Sequence, residues 1–309
     1  MGSETTEMIL VTGGTGFVGS HLVARLVQAG EQVRALARTR VEISGVEVVV
    51  GDVRDLSAVT AAARDCQAVI HLVGIVREIG EATFQRVHVD GTRTVVQACV
   101  EAGVGRLLHM SALGARPGAR STYHRTKWEA EELVRRSGLQ ATIFRPSVIF
   151  GAGRLRRPFE AGLWSPAEEG GFLAELRRLV HRGPVIPIAG NGMALLQPIW
   201  VEDVISCFVG ALAKPETAGQ AYHLGGPEVF GFEEMVDLVA AAEGIRKPRL
   251  HLPVLWLRPL AAVLGRLTPR FPLTSDQLTM LLEDGVCDTT EMREVLAVNP
   301  ASLREHLME

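Results

Sequence analysis

Tyrosine and lysine are nearly absent from this sequence. Only 2 of its 309 residues are Tyr, and among 32 Lys and Arg only Lys127, Lys214 and Lys247 are lysine. Long apolar runs are missing as well. The most apolar late stretch, residues 252–267, is broken by Arg258, Pro259 and Arg266, which argues against a membrane span. The 4 Cys (Cys66, Cys99, Cys207 and Cys287) are dispersed with no C-x-x-C, so neither a disulfide framework nor a zinc site is indicated. No His pair has metal-ligand spacing supported by acids, and no metal is expected. A net charge of -3 leaves no electropositive footprint for nucleic acid. The first seven residues are polar and acidic, unlike a basic stretch leading into an apolar signal core. The expectation is a soluble cytoplasmic protein of one large or two closely joined domains.

Apolar runs at 8–12, 32–37, 47–50, 68–72, 106–110 and 141–145 read as buried parallel strands. Helical periodicity separates them at 17–29, 57–63, 83–102 and 121–137, and Gly30, Gly103 and Gly138 follow three of these helices. This alternation predicts an α/β fold: a Rossmann-type doubly wound parallel sheet with a smaller, mostly helical C-terminal substrate lobe. The dinucleotide-binding domain is expected over 1–150, with return segments in 195–225. The substrate or interaction lobe takes 151–194 and 226–309. Within it, 151–171 reads as a long loop over a cleft, followed by helical patterns at 172–181, 232–243, 255–267 and 275–283.

The first strand runs into Gly13-Gly14-Thr15-Gly16-Phe17-Val18-Gly19 and then a helix. Such a turn lets the backbone approach a pyrophosphate at the helix N-terminus. A carboxylate about 20 residues on usually holds the ribose 2′-hydroxyl of NAD. Here the second strand ends in Ala37-Arg38-Thr39-Arg40. A guanidinium at Arg38 can clasp a 2′-phosphate in two places, which predicts NADP before NAD; otherwise Arg38 and Arg40 are solvated loop charges.

The two scarce residue types meet in Tyr123-His124-Arg125-Thr126-Lys127. Four apart, Tyr123 and Lys127 share a helix face. An ammonium beside a phenol favours the phenolate and lowers a pKa that is ordinarily about 10. Ser111 follows the fifth strand at the sheet's carboxyl edge, where a hydroxyl donor can serve a reacting oxygen; the alternative for it is a turn serine. His71 and His109 fall on buried strands and read as structural, as does His124. Arg154, Arg156 and Arg157 are either a solvated loop or a lid gripping an anionic substrate.

These motifs resemble the extended and atypical short-chain dehydrogenases/reductases, of the NAD-dependent epimerase/dehydratase type. Carrying the resemblance are the glycine string, Gly51-Asp52-Val53-Arg54-Asp55, His71-Leu72-Val73-Gly74, Asp90-Gly91-Thr92, Ser111, Tyr123/Lys127, Arg145-Pro146 and Val201-Glu202-Asp203-Val204. Leu195-Leu196-Gln197-Pro198-Ile199 and Leu273-Thr274-Ser275-Asp276-Gln277-Leu278 look like the branch of the NADPH-binding accessory subunit of respiratory complex I.

The resemblance implies cofactor contacts from Gly13, Thr15, Gly16, Phe17, Val18, Gly19 and Arg38. It adds Asp52 and Val53 at the adenine, and Leu72, Val73 and Gly74 at the adenosine ribose. Pro146 to Val148 would pass the nicotinamide, and Lys127 would bond its ribose. Tyr123 would be the acid/base and Ser111 the hydrogen-bond donor. His88 stands where many members carry Asn, which bears on the proton relay.

The expected activity is hydride transfer at a carbonyl or alcohol centre by an NADP(H)-preferring oxidoreductase, on a small substrate that is anionic or isoprenoid-like. The alternatives are a nucleotide-sugar epimerase or dehydratase and a non-catalytic NADPH-binding scaffold of a respiratory-type complex. A monomer, a homodimer or membership of a larger complex all fit.

Overall fold

The computed structural model describes residues 8–151, 171–259 and 274–308. Six strands, β1 (Met8–Thr12), β2 (Gln32–Ala37), β3 (Val46–Val50), β4 (Cys66–His71), β5 (Arg106–Met110) and β6 (Gln140–Pro146), join strand Ala221–Leu224 in one seven-stranded sheet. The order is Ala221–Leu224, β6, β5, β4, β1, β2, β3, and every pairing is parallel. The strand order therefore reverses between β1 and β4, where folds of this kind open a crevice at the carboxyl ends of their strands. Helices α1 (Phe17–Gln28), α2 (Leu56–Ala63), α3 (Gly91–Ala102) and α4 (Thr122–Arg135) cover the sheet. Two apolar clusters lie against it, one centred on Val11, Leu22, Phe144 and Phe208, the other on Leu10, Val69, Val95 and Leu107.

The predicted strands and helices of the first half are present within a residue or two, with one local change. The helix expected over 83–102 begins with a π-helical stretch, Gln85–Asp90, before α3. Each residue added by a π turn rotates the side chains that follow, and such turns gather at functional sites. His88 lies within it.

One expectation for the second half needs correction. Residues 195–201 do not return to the main sheet. Leu195–Leu196 pairs antiparallel with Phe230–Gly231, and Ile199–Trp200 pairs parallel with Ile149–Gly151. Pro198 separates the two pieces and has no N–H to offer a ladder. Val201–Leu212, in turn, is a helix begun by Glu202 and Asp203, acids that suit a helix N-terminus. A third apolar cluster unites Phe150, Leu176, Ile188, Phe232, Val236 and Leu303. Of the helix expected over 255–267, residues 254–259 are helical and 260–273 lie outside the described residues, as does 152–170 of the expected loop. Among the described residues no helix is long and apolar enough to cross a membrane.

Gly19 sets how closely α1 approaches β1. A Cβ there would stand 2.1 Å from the Gly13 carbonyl oxygen and 2.8 Å from the Gly14 Cα, both backbone atoms that cannot give way cheaply. Gly19→Ala is expected to destabilise the protein by about 1–3 kcal/mol, the usual cost of overpacking. Urea unfolding checks it: the midpoint should fall with an unchanged slope.

Candidate active site

The glycine turn and the end of β4 meet at the reversal point of the sheet, and the end of β3 lies two strands along the same carboxyl edge. Gly16 donates to the Gly13 carbonyl at 2.9 Å and caps α1 with no side-chain hydrogen bond and no acid in the first turn. Among the described residues no side chain caps the first amides of α1, and no acid of its first turn competes with a phosphate there. Thr15 and Phe17 are partly exposed and Val18 is buried. The Leu72 N–H bonds the Thr12 carbonyl at 3.1 Å, which brings buried Leu72, then Val73 and Gly74, alongside the turn. Asp52 follows β3, and Arg54 grips its carboxylate in a two-point fork at 2.8 and 2.9 Å. That bond holds the Asp52 carboxyl below its usual range, and the nearby charge of Arg38 adds to the effect. Val53 is buried against Gly91. Arg38 itself is exposed, one residue past the end of β2.

Helix α4 delivers Tyr123 and Lys127. Its N-cap Ser121 accepts from the His124 N–H, and its middle is tied to β6 where Arg145 forks onto the fully buried Glu131 at 2.6 and 2.9 Å. Lys127 is 3% exposed and donates from Nζ to the Met110 carbonyl at 3.0 Å, the residue before Ser111. Burial pulls its pKa down to about 8, with the Glu131 carboxylate opposing. A Cβ on Gly74 would lie 3.0 Å from that Nζ, so the ammonium is next to the segment expected at the ribose.

The phenol behaves contrary to expectation. Burial pushes Tyr123 up to about 12 rather than down. Its ring sits edge-on among Phe84, His88 and His124, at centroid distances of 5.8, 5.3 and 5.3 Å. The Lys127 ammonium gives one of its three N–H groups to a main-chain carbonyl, and desolvation of a phenolate in that aromatic cage prevails.

Ser111 is buried, and its main-chain N–H bonds the Phe144 carbonyl at 2.7 Å. Among the described residues its Oγ has no hydrogen-bond partner. A buried unpaired hydroxyl is costly and asks for an explanation. Leu113 bonds the Pro146 carbonyl at 2.9 Å and Ile199 bonds that of Val148 at 3.0 Å, so the Pro146 to Val148 segment runs beside the serine loop. A helix start without a side-chain cap, a buried ammonium and a hydroxyl without a partner among the described residues, all along one sheet edge, fit a bound nicotinamide dinucleotide.

His88 has a full set of partners. Its Nε2 is 3.1 Å from the Ile75 N–H and 3.0 Å from the Ile75 carbonyl; Nδ1 is 2.9 Å from Thr126 Oγ1. With the proton on Nδ1, Nε2 accepts from Ile75, Nδ1 donates to Thr126, and Thr126 donates to the Tyr123 carbonyl at 3.0 Å. Burial, then the Lys127 charge, brings its pKa down to about 2, so the ring is neutral. His88 thus links the end of β4 to the turn of α4 between Tyr123 and Lys127. His71 is satisfied by Thr12 and Thr92 at 2.7 and 3.2 Å. His109 stacks on it, and burial holds its pKa well below the usual value.

Two residues quoted within motifs have partners that the sequence does not assign. Thr126 could have been suspected from its place between Tyr123 and Lys127. Asp276 stands in the 273–278 motif, but nothing local indicates that its carboxylate accepts from the N–H groups of Thr122 at 2.6 Å and Tyr123 at 3.0 Å, across more than 150 positions. The arginines at 154, 156 and 157 lie outside the described residues.

A family model described as the NAD dependent epimerase/dehydratase family matches residues 9–225. The chain is 29% identical over 285 residues, 87% of this chain and 66% of the relative, to NADH dehydrogenase (ubiquinone) 1 alpha subcomplex subunit 9, mitochondrial, of Arabidopsis thaliana. It is 31% identical over 221 residues, 70% of this chain and 64% of the relative, to a ceramide reductase of Caulobacter vibrioides. It spans a little under two thirds of the length of both. A solved structure of MoeE5 in complex with UDP-glucose and NAD superposes with a TM-score of 0.73 at 23% identity, covering 97% of this chain and 96% of that one; this likeness concerns the fold.

The buried ammonium makes a pH prediction. Lys127 ordinarily titrates at 10.5 and here at about 8, so between those values the unfolded chain holds a proton that the folded chain releases. Stability from this group therefore rises with pH across that window. The stability of the wild type relative to Lys127→Met should increase by on the order of 3 kcal/mol at most between pH 7.5 and 10. Paired denaturant titrations measure the difference, and other groups cancel in it.

Proposed function

Because the chain belongs to the NAD dependent epimerase/dehydratase family, with the fold of the extended short-chain dehydrogenases/reductases, we propose that it is an NADP(H)-preferring oxidoreductase working at a carbonyl or alcohol carbon. The observation that carries this reading is the buried, unpartnered Ser111 hydroxyl on the sheet edge that also receives the Lys127 ammonium. Residues 1–150 together with strand Ala221–Leu224 would hold the nucleotide, and the rest of the chain the substrate.

A nicotinamide bound along Pro146 to Val148 would supply or accept the hydride. The chain's own residues handle the oxygen. As a carbonyl carbon is reduced, its oxygen gains negative charge; Ser111 donates a hydrogen bond to it and Tyr123 donates the proton. A phenol pushed to about 12 is fully protonated at neutral pH, the form that donation requires, and an alkoxide is the stronger base. Lys127 binds the ribose hydroxyls and offsets the charge left on the phenolate. Val18, Leu72 and Val53 wall the cofactor side with apolar surface. A substrate with an apolar portion suits the exposed Leu255 and Trp256, 80% and 73% accessible, and agrees with the relative named as a ceramide reductase.

NADP preference rests on Arg38 and on the neutralisation of Asp52 by Arg54. The MoeE5 complex holds NAD, so this preference is a property we assign to this chain. Two other readings each have a specific support. An epimerase or dehydratase agrees with the family description, and a nucleotide-binding scaffold agrees with the Arabidopsis complex I subunit. A cytoplasmic setting is our reading, whereas that relative is named as mitochondrial.

Two experiments test the proposal. With NADPH and a panel of carbonyl compounds, Tyr123→Phe should lower kcat by about 100-fold or more while leaving nucleotide affinity within twofold. A nucleotide that never exchanges or oxidises in the wild type would favour the scaffold; one returned unchanged after isomerising a sugar nucleotide would favour the epimerase. Separately, Arg38→Glu should weaken NADPH binding about 10- to 100-fold with little change for NADH, as the loss of a charge-assisted phosphate contact requires. Calorimetric titration with both nucleotides gives the ratio, and tighter binding of NADH by the wild type would overturn the assignment.

A further inference from the structure

Helix α4 begins at the sheet's carboxyl edge, and the first N–H groups of any helix have no partner within it. Here those of the first three residues each have one. Ser121 Oγ takes the His124 N–H at 3.1 Å, and the helix's own ladder starts at the next residue, where the Arg125 N–H reaches the Ser121 carbonyl at 3.2 Å. The other two belong to Thr122 and Tyr123, and both go to Asp276, one to each carboxylate oxygen. The acid is not local. It comes from helix Ser275–Leu281, whose own start is locked by a capping box: Thr274 Oγ1 accepts from the Gln277 N–H and Gln277 Oε1 from the Thr274 N–H.

The same segment grips the site at further points. Glu283 pairs with Arg116 at 3.1 Å and lies 3.7 Å from His124 Nδ1, and Arg116 also bonds the Gly114 carbonyl in the loop that follows Ser111. Ser147, beside Pro146, donates from Oγ to the Gly285 carbonyl at 3.0 Å. One stretch, 274–285, therefore touches the start of α4, the serine loop and the end of β6.

We propose that Asp276 is a positioning residue: its carboxylate fixes the main chain of Tyr123, and through it the phenol, relative to Ser111, so that the C-terminal lobe sets the geometry of the catalytic pair. The catalytic half of this statement rests on the oxidoreductase reading; the clamp itself does not. A carboxylate at the N-terminus of α4 has two reasons to stay, two charge-assisted hydrogen bonds and the helix dipole. It leaves the glycine turn and the Lys127 bond to Met110 untouched. Losing it should affect turnover and spare the nucleotide.

Asp276→Asn and Asp276→Ala test this in the full-length protein. Asn keeps one acceptor oxygen and Ala none, so the effects should be graded. Amide hydrogen exchange of the peptide covering Thr122–Lys127 should speed up about tenfold in the Asn variant and more in the Ala variant, while exchange elsewhere in the sheet is unchanged. With NADPH and a carbonyl substrate, kcat should fall about tenfold or more, with the dissociation constant for NADPH within twofold. Unchanged exchange at Thr122 and Tyr123 in Asp276→Ala overturns the clamp. Faster exchange with unchanged kcat in a wild type that turns over overturns the positioning role. If the wild type reduces no carbonyl compound, the oxidoreductase reading is what fails, and the exchange measurement still decides the clamp.

Discussion

The hydrogen bond from Lys127 Nζ to the Met110 carbonyl joins helix α4 to the carboxyl end of β5, and the site is arranged around it. Burying an ammonium is expensive, and the structure compensates locally. The buried Glu131 carboxylate lies one turn along the same helix and is itself clasped by Arg145 from β6 and Arg135 from α4. Gly74 leaves room at the amine, and the rings of His71, His88 and His109, all held neutral by burial, surround it without adding charge. A lysine kept at such expense beside Gly74 agrees with the ribose-binding role proposed for it.

That arrangement also explains why the phenol is not acidified. An ammonium lowers a neighbour's pKa only to the extent that its field exceeds the loss of water around the neighbour's charged form. Tyr123 stands in an aromatic cage and its pKa moves upward. The consequence is directional. A neutral phenol and an unpaired serine hydroxyl are both donors, and two donors suit an oxygen that is becoming negative.

His88 and Asp276 show a division of labour around helix α4. The π-helical turn brings His88 onto Thr126 and Ile75, bracing α4 from the β4 side. Asp276 braces its first turn from the C-terminal lobe. The His88 ring reaches main chain on one side and a hydroxyl on the other.

Most of the nucleotide-binding half was legible in the sequence. Strand alternation, the glycine turn and the four-residue spacing of Tyr123 and Lys127 are local properties, governed by side-chain periodicity and by what a few neighbouring residues can do. Residues 195–201 lie off the main sheet: an apolar run states that a segment is buried, not which sheet it joins, and Glu202 and Asp203 start helix Val201–Leu212 directly after it. The upward shift of Tyr123, the partners of His88 and the reach of Asp276 to α4 were decided by tertiary structure alone. Each depends on groups 13 to 154 positions apart in the chain, or on how much water the packed protein leaves around a charge, and no local pattern encodes either.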